Sequence, residues 1–301
     1  MSTAGLQVVR AGALTTVQDL GRPGHAHLGV PRSGALDEPA HRLANRLVGN
    51  PESAATLETT LNGCTLRATG GTGTALAAVV TGAPCAVTVD GRPAPWGVPF
   101  RLPAGAVLEA GPAERGVRSY LGFSGGVDAA PVLGSRATDL LSGLGPEPLR
   151  DGERLRIGAP GESRGAAAAT DVAHWAAPPS RLLLPVVYGP RTDWFTRAAV
   201  RTLVTGEYRV SSASNRIGLR LEGPVLERAR DEELPSEGIA SGALQVPPEG
   251  RPVVFLADHP VTGGYPVIGV VPQEALAAVA QAVPGTPVRF KAASGPPSVA
   301  R

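Results

Sequence analysis

Lysine is almost missing from this chain of 301 residues: Lys291 is the only one, and arginine supplies the rest of the 28 basic residues. A phosphate-binding P-loop ends in Gly-Lys-Ser/Thr, and Lys291 is followed by Ala292, so no such loop is present. Aromatic residues make up 4% of the chain, so the 43% that is hydrophobic must build its core from Val, Leu and Ala. Cys64 and Cys85 are the only cysteines. They sit in separate apolar runs without metal-ligand spacing and read as buried free thiols. His-Glu-x-x-His is absent, and His25-Ala-His27 lacks a third ligand, so the pair reads as a solvated turn and no metal site is expected. No run approaches the roughly 20 apolar residues of a membrane span, and Met1–Arg10 lacks the apolar stretch of a secretory leader. A cytoplasmic protein is the expectation. The formal charge of +2 is spread out, with neither a basic block for nucleic acid nor an acidic tail.

What the chain has in abundance is punctuation: 39 glycines and 30 prolines interrupt almost every apolar run, which favours short strands over long helices. One clear helix is expected over Glu38–Val48, with Asp37 as its cap, Pro39 in its first turn and Gly49 as its stop. Strands follow at 66–68, 76–81, 86–89, 106–110 and 117–123, and Asp90-Gly91 after an alternating run predicts a hairpin. Further on come strands at 182–187, 253–257 and 288–290, and helices at Asp193–Val204 and Gln273–Val283. The stretch 161–180, rich in Ala, Gly and Ser, reads as a linker between domains at 1–160 and 181–301. Each half runs from a strand through Gly-Gly (125–126, 263–264) to a closing strand. That echo suggests two related β-barrel domains.

Two glycine-punctuated segments carry the candidate chemistry. In Leu28-Gly-Val-Pro-Arg-Ser-Gly-Ala-Leu-Asp37, residues Ser33, Gly34 and Asp37 set hydroxyl and carboxylate groups beside open backbone. In Leu256–Pro266, Asp258 and His259 precede Thr262-Gly263-Gly264-Tyr265, which offers an acid, a base, a hydroxyl and N–H groups for an oxyanion. The two loops are expected to line opposite sides of one cleft, with left-handed glycines orienting the donors; two tight turns are the plainer alternative. Arg216 and Arg220, four apart in an expected strand, would share a face and could grip a carboxylate or phosphate. A surface ladder with Glu222 and Glu227 is the competing reading. Gly122-Phe-Ser124-Gly-Gly126 matches a hydrolase nucleophile elbow, but no helix follows the serine, as that motif requires.

Several longer runs follow one another in a particular order. They are Gln18-Asp-Leu-Gly-Arg-Pro-Gly24, Gly29–Asp37, Arg42-Leu-Ala-Asn45, Leu47-Val-Gly-Asn50 and Leu57-Glu-Thr59. After them come Gly134-Ser-Arg-Ala-Thr-Asp139, Gly218–Pro224, Gly242-Ala-Leu-Gln-Val-Pro247 and Gly263-Gly-Tyr-Pro266. Together they resemble the biotin-dependent carboxyltransferase-like family. That family includes the C subunit of 5-oxoprolinase, the allophanate-hydrolase subunit 2 group, Kip-type regulators and the carboxyltransferase part of urea carboxylase. The resemblance covers nearly the whole chain apart from the linker.

It implies a mainly β protein of two cyclophilin-like β-barrel domains with a few short helices. It also implies two partners, a KipI-like B subunit and a lactam-utilisation-type A subunit. ATP is the implied co-substrate of the complex, at a site the sequence does not locate. The implied reaction is ATP-dependent opening of 5-oxoproline to glutamate, with the chain inactive alone. Asp258, Thr262, Gly263, Gly264 and Tyr265 are the candidate catalytic residues; Ser33, Gly34, Asp37, Arg216, Arg220 and Gln245 are the candidate substrate-binding residues. Rival readings are a carboxyltransferase fed by carboxybiotin on another protein, since no Met-Lys-Met attachment signature is present, and a non-catalytic regulator of a KipI-like partner. Three positions depart from the family pattern: Asn215 where relatives tend to carry Asp, Val267 where many carry Lys, and Asp258-His-Pro-Val in place of Asp-Arg-Gln-Thr.

Overall fold

Runs of alternating burial, broken by turns, produce a mainly β molecule in the computed structural model, which describes residues 4–71, 73–159, 177–230 and 232–293. The described residues form two compact units. Those within Met1–Arg22, Ser33–Asp139 and Gly143–Pro178 make the first; those within Pro23–Arg32, Leu140–Ser142 and Pro179–Arg301 make the second. The short segments 23–32 and 140–142 fall in the second unit, although both precede residue 160 in the chain. Most of the expected linker at 161–180 lies outside the described residues.

The first unit begins with β1 (Gly5–Arg10), β2 (Thr15–Gln18) and α1 (Glu38–Leu47), then β3 (Thr56–Thr60), β4 (Cys64–Thr69), β5 (Ala75–Gly82) and β6 (Cys85–Val89). It continues with β7 (Arg92–Ala94), β8 (Phe100–Pro103), β9 (Val107–Ala113), β10 (Arg118–Phe123) and β11 (Arg154–Arg156). These strands build a six-stranded sheet, β11-β1-β4-β9-β6-β7, and a five-stranded sheet, β2-β3-β10-β5-β8. Leu6, Val8, Leu66 and Leu108 of one sheet and Val17, Leu57, Val80 and Leu121 of the other share a single apolar core. Cys64 and Cys85 are buried free thiols in it, and burial pushes the Cys64 thiol up to about 12. The β6–β7 hairpin turns at Asp90 and Gly91, both left-handed with φ of 51° and 73°, as the Asp-Gly pair requires.

The outer face of the five-stranded sheet carries α1 and is unusually polar. Side chains alternate along a strand, so Leu57 and Leu121 face the apolar core while Thr56, Glu58 and Tyr120 face the helix. Asp37 caps α1 by accepting from the Ala40 N–H at 3.1 Å, and its own N–H donates to the Tyr120 hydroxyl at 2.7 Å. That hydroxyl donates to Glu58 Oε2 at 2.7 Å, which also accepts from the Leu36 N–H at 3.0 Å. The Thr81 hydroxyl donates to the Ala40 carbonyl at 2.8 Å. His41, fully buried on α1, stands 2.8 Å from Thr56 Oγ1 through Nδ1 and 3.1 Å from the Glu52 carbonyl through Nε2. A carbonyl only accepts, so Nε2 carries the proton and Nδ1 accepts from the threonine.

The second unit holds β12 (Leu182–Tyr188), α2 (Arg197–Thr205), β13 (Tyr208–Val210), β14 (Gly218–Glu222), β15 (Glu237–Gly238), β16 (Ala243–Gln245) and β17 (Val253–Phe255). It ends with β18 (Thr262–Gly263), β19 (Val267–Val270), α3 (Gln273–Ala280) and β20 (Pro287–Ala292). Seven of these strands close a barrel in the order β12-β19-β16-β17-β14-β13-β20, and β15 and β18 form a separate two-stranded ribbon. Leu182, Leu184 and Val186 point inward while Leu183 and Val187 are exposed, the two-residue period of a barrel strand. The helix expected at Asp193–Val204 is instead a 3-10 turn at Pro190–Trp194 followed by α2. Thr196 starts α2 afresh, its side chain accepting from the Ala199 N–H. His25 precedes a short 3-10 turn at Ala26–Leu28, and His27 lies within it.

Burial lowers the pKa of His41 to about 4, against 6.5 in the unfolded chain. The unfolded state then binds the proton more readily, so this stability is complete above pH 6.5 and is lost as pH falls toward 4. The loss is on the order of 3 kcal/mol. Urea titrations at about pH 7 and about pH 4.5 should show it, and His41→Gln should flatten the dependence while lowering stability at neutral pH. Asp37→Ala should cost about 1 kcal/mol through the lost cap.

Candidate functional site

Asp258 and Arg216 are the two most deeply buried of the predicted site residues, and they meet each other. The guanidinium grips the carboxylate with both arms, Nε to Oδ2 at 2.9 Å and Nη2 to Oδ1 at 3.0 Å. The Leu140 N–H donates to Oδ2 at 3.2 Å, and the Asp258 N–H donates to the Arg216 carbonyl at 3.2 Å. A buried charge pair repays its desolvation only when its remaining hydrogen-bonding capacity is used, and here much of it is. Asp258 is therefore an anchor for the loop that follows it, a poor candidate for a free acid or base.

The expected Arg216–Arg220 clamp is not formed. Arg216 lies before β14, in a turn where Asn215 Oδ1 accepts from the Ile217 and Gly218 N–H groups at 2.9 and 3.2 Å. That turn aims Arg216 inward at Asp258, whereas Arg220 lies on β14 and is exposed. Arg220 lines an open pocket of about 210 Å³ together with Ser211, Glu222, Glu249 and Arg251. Asn215 uses the same acceptor chemistry that an Asp would bring to this turn, so the departure from the family pattern leaves the turn intact.

The loop anchored by Asp258 runs into the glycine segment. His259 is buried, with its Nδ1 2.8 Å from the Pro260 carbonyl, so that nitrogen is the donor. Thr262–Gly263 pairs with Glu237–Gly238, and the ribbon is tied to the Pro190–Trp194 turn by a two-armed Arg191–Glu237 ion pair, with Nε to Oε2 at 3.0 Å. Gly263 and Gly264 do not have left-handed φ, contrary to the expectation for this loop. Gly263 is closely approached by two flexible side chains: a Cβ there would lie 2.6 Å from Ile239 Cδ1 and 2.9 Å from Gln245 Nε2, so a larger residue would displace them. Gln245 sits at a bulge between β16 and β19 and donates to the Tyr265 carbonyl at 3.1 Å. Thr262, Gly263, Tyr265 and Gln245 thus form one cluster, with the Tyr265 ring half exposed. Arg228, which no local spacing marks out, completes it: its guanidinium carbon lies 5.6 Å from the Tyr265 ring centre.

Ser33, Gly34 and Asp37 belong to the first unit. Ser33 is a buried non-glycine residue at φ 53°, and Gly34 follows at φ 95°. A Cβ on Gly34 would sit 2.8 Å from the Gly21 nitrogen, so this glycine is needed for both conformation and room. The Ser33 hydroxyl donates to the Thr138 carbonyl at 3.1 Å, beside the Gln18 amide, which donates to the same oxygen at 3.0 Å. Asp19 accepts from Ser135 Oγ and the Arg136 N–H, each at 2.6 Å, and Arg22 donates to the Ala137 carbonyl. The Gln18–Gly24 and Gly134–Asp139 runs are thereby laced together. The Asp37 carboxylate is engaged in capping α1.

Residues 28–292 match the carboxyltransferase domain, subdomain A and B. The chain belongs to that family. Over 291 residues it is 40% identical to the C subunit of 5-oxoprolinase from Escherichia coli, covering 95% of this chain and 90% of that protein. It is 32% identical to the corresponding 5-oxoprolinase subunit of Haemophilus influenzae, covering 93% of this chain and 88% of that protein. Among solved structures, the urea amidolyase of K. lactis superposes with a TM-score of 0.89 at 28% identity, covering 98% of this chain and 19% of that longer one. The mainly β architecture is thus the one that carboxyltransferase domains of this family share.

Removing one member of the Arg216–Asp258 pair should leave a buried charge without its partner. Asp258→Ala is expected to lose about 3–5 kcal/mol in urea unfolding, and Arg216→Met combined with Asp258→Leu to recover much of it. Gly263→Ala should instead disturb the site more than the fold, because both atoms it would strike are ends of flexible side chains. Its melting temperature should stay within a few degrees of the parent while turnover in the assembled enzyme falls.

Proposed function

We propose that this protein is the C subunit of an ATP-dependent 5-oxoprolinase. It acts in the cytoplasm with a KipI-like B subunit and a lactam-utilisation-type A subunit to convert 5-oxoproline to L-glutamate. The observation that carries this reading is the end-to-end likeness to the E. coli 5-oxoprolinase protein, which leaves almost no part of either chain unmatched. The chemistry explains the need for ATP. A lactam carbonyl is a poor electrophile, and transfer of the γ-phosphoryl group to its oxygen, releasing ADP, makes the carbon attackable by water. Addition of one water and cleavage of the ring C–N bond, with the nitrogen leaving as the protonated amine, give γ-glutamyl phosphate, and a second water displaces phosphate to leave glutamate.

In this reading the cluster around Gln245, Thr262, Gly263, Gly264 and Tyr265 handles the lactam. Gln245 holds the Tyr265 main chain in place, and Gly263 keeps the approach to that amide free of a side chain. Asp258 acts through position only, because its carboxylate is committed to Arg216. A second reading draws support from the superposition on the K. lactis urea amidolyase: transfer of a carboxyl group from carboxybiotin carried by another protein.

The two readings part in a reconstitution. Purified chain incubated with ATP and 5-oxoproline should produce no glutamate alone and should do so when the two partner subunits are added. Glutamate formed by the chain alone, or none from the reconstituted set, counts against the proposal. Co-purification of a biotin carboxylase, with urea-dependent consumption of carboxybiotin, would transfer the assignment to the second reading.

A further inference from the structure

Four arginines of the second unit are matched with carboxylates. Arg191 pairs with Glu237, Arg216 with Asp258, Arg230 with Asp193 and Arg289 with Glu207. Arg228 pairs with no carboxylate among the described residues, yet it is held in three ways. A β-bridge between Arg228 and Phe195 fixes its backbone. Nη2 donates to the Val246 carbonyl at 2.8 Å, and the guanidinium lies over the Tyr265 ring. Its Nε is buried and has no acceptor among the described residues. The neighbours of this cation are the residues on either side of the glycine turn: Val246 follows Gln245, and the Gln245 amide binds the Tyr265 main chain.

We propose that Arg228 is the substrate-carboxylate residue of this site, and that the ligand class it selects is a small lactam acid. The inference rests on reading the chain as a component of a 5-oxoprolinase. A guanidinium stacked on an aromatic face and tethered by one arm has little freedom left to lose, and its planar fork matches a carboxylate. With no carboxylate paired to it among the described residues, its field is available to an anion. The other two candidates fail on geometry. Arg216 is consumed by Asp258, and in the pocket of Arg220 the two arginines, Arg220 and Arg251, are matched in number by Glu222 and Glu249. The amide end of a lactam acid gripped by Arg228 would then be presented to the Gln245–Gly263 side of the cluster.

The test compares L-5-oxoproline with its carboxamide, pyroglutamide, in the reconstituted complex. In Arg228→Gln the KM for 5-oxoproline should rise about 10- to 100-fold with kcat little changed, and the preference over pyroglutamide should collapse. Arg228→Lys should recover part of it. An unchanged KM and an unchanged preference in Arg228→Gln would overturn the proposal.

A binding measurement on the full-length chain decides the case where the variant does not fold or the parent complex does not turn over 5-oxoproline. The side-chain Nε–H resonance of Arg228 in the ¹⁵N-labelled parent, assigned by its absence in Arg228→Lys, should shift on titration with 5-oxoproline and with acetate but not with pyroglutamide. A resonance that ignores both carboxylates overturns the assignment. A shift in a chain whose complex leaves 5-oxoproline intact sinks the 5-oxoprolinase reading and leaves the carboxylate site standing.

Discussion

The two-armed bond between Arg216 and Asp258 holds together the part of the second unit where the candidate chemistry sits. It joins residues 42 apart in sequence, the turn that starts β14 and the loop that leaves β17. Both groups are taken out of water, which is costly, and the cost is offset by the complete fork and by the Leu140 N–H on the carboxylate. The loop beyond Asp258 carries His259, the ribbon strand at Thr262–Gly263 and Tyr265. Its path is therefore set by an ionic contact at its root as well as by the ribbon and by Gln245 along its length.

The first unit solves a different problem. Its five-stranded sheet is buried on both faces, and the face under α1 mixes an apolar cluster of Val79 and Tyr120 against Ala40, Ala44, Leu47 and Val48 with buried polar side chains. The helix α1 covers Thr56, Glu58, Thr81 and Tyr120, and every such group needs a partner there because water is excluded. The helix and its lead-in supply partners through the Leu36 and Asp37 N–H groups, the Ala40 carbonyl and His41, while Tyr120 and Arg118 also engage Glu58. Burial holds His41 in the neutral form, which lets one ring nitrogen donate and the other accept. Directional bonds of this kind add orientation to the apolar packing of Ala40, Ala44, Leu47 and Val48 on Val79 and Tyr120.

The legible parts of the sequence were those governed by local rules. Asp37, Pro39 and Gly49 bracket α1 because capping and termination are decided within one turn, and Asp90-Gly91 marks its hairpin because two left-handed residues in a row suit few other pairs. The strands Thr15–Gln18 and Thr56–Thr60 were not read, since Thr-Thr-Val-Gln and Thr-Leu-Glu-Thr-Thr are too polar to signal burial. Their polar side chains are buried against partners distant in sequence, which no periodicity reveals. The same reason separates Arg216 from Arg220. A spacing of four implies one face only within a continuous strand, and the Asn215 turn places Arg216 outside it. Gly263 and Gly264 stood out in the sequence for their conformational freedom, yet what Gly263 supplies is room, because crowding by Ile239 and Gln245 is a tertiary fact. Arg228 was invisible among so many arginines.

The barrel of the second unit closes through a parallel pairing of β12 with β20, in which Leu182 lies opposite Val288 and Val186 opposite Ala292. Its first and last strands are thus neighbours, with every other barrel strand between them in the chain. During synthesis on the ribosome, β12 emerges roughly a hundred residues ahead of the strand that must cover its edge, about 5–20 s at ordinary elongation rates. Through that interval β12 and β13 both offer unpaired main-chain edges, the features by which nascent chains associate wrongly. The second unit therefore cannot close its barrel until its final strand has been made.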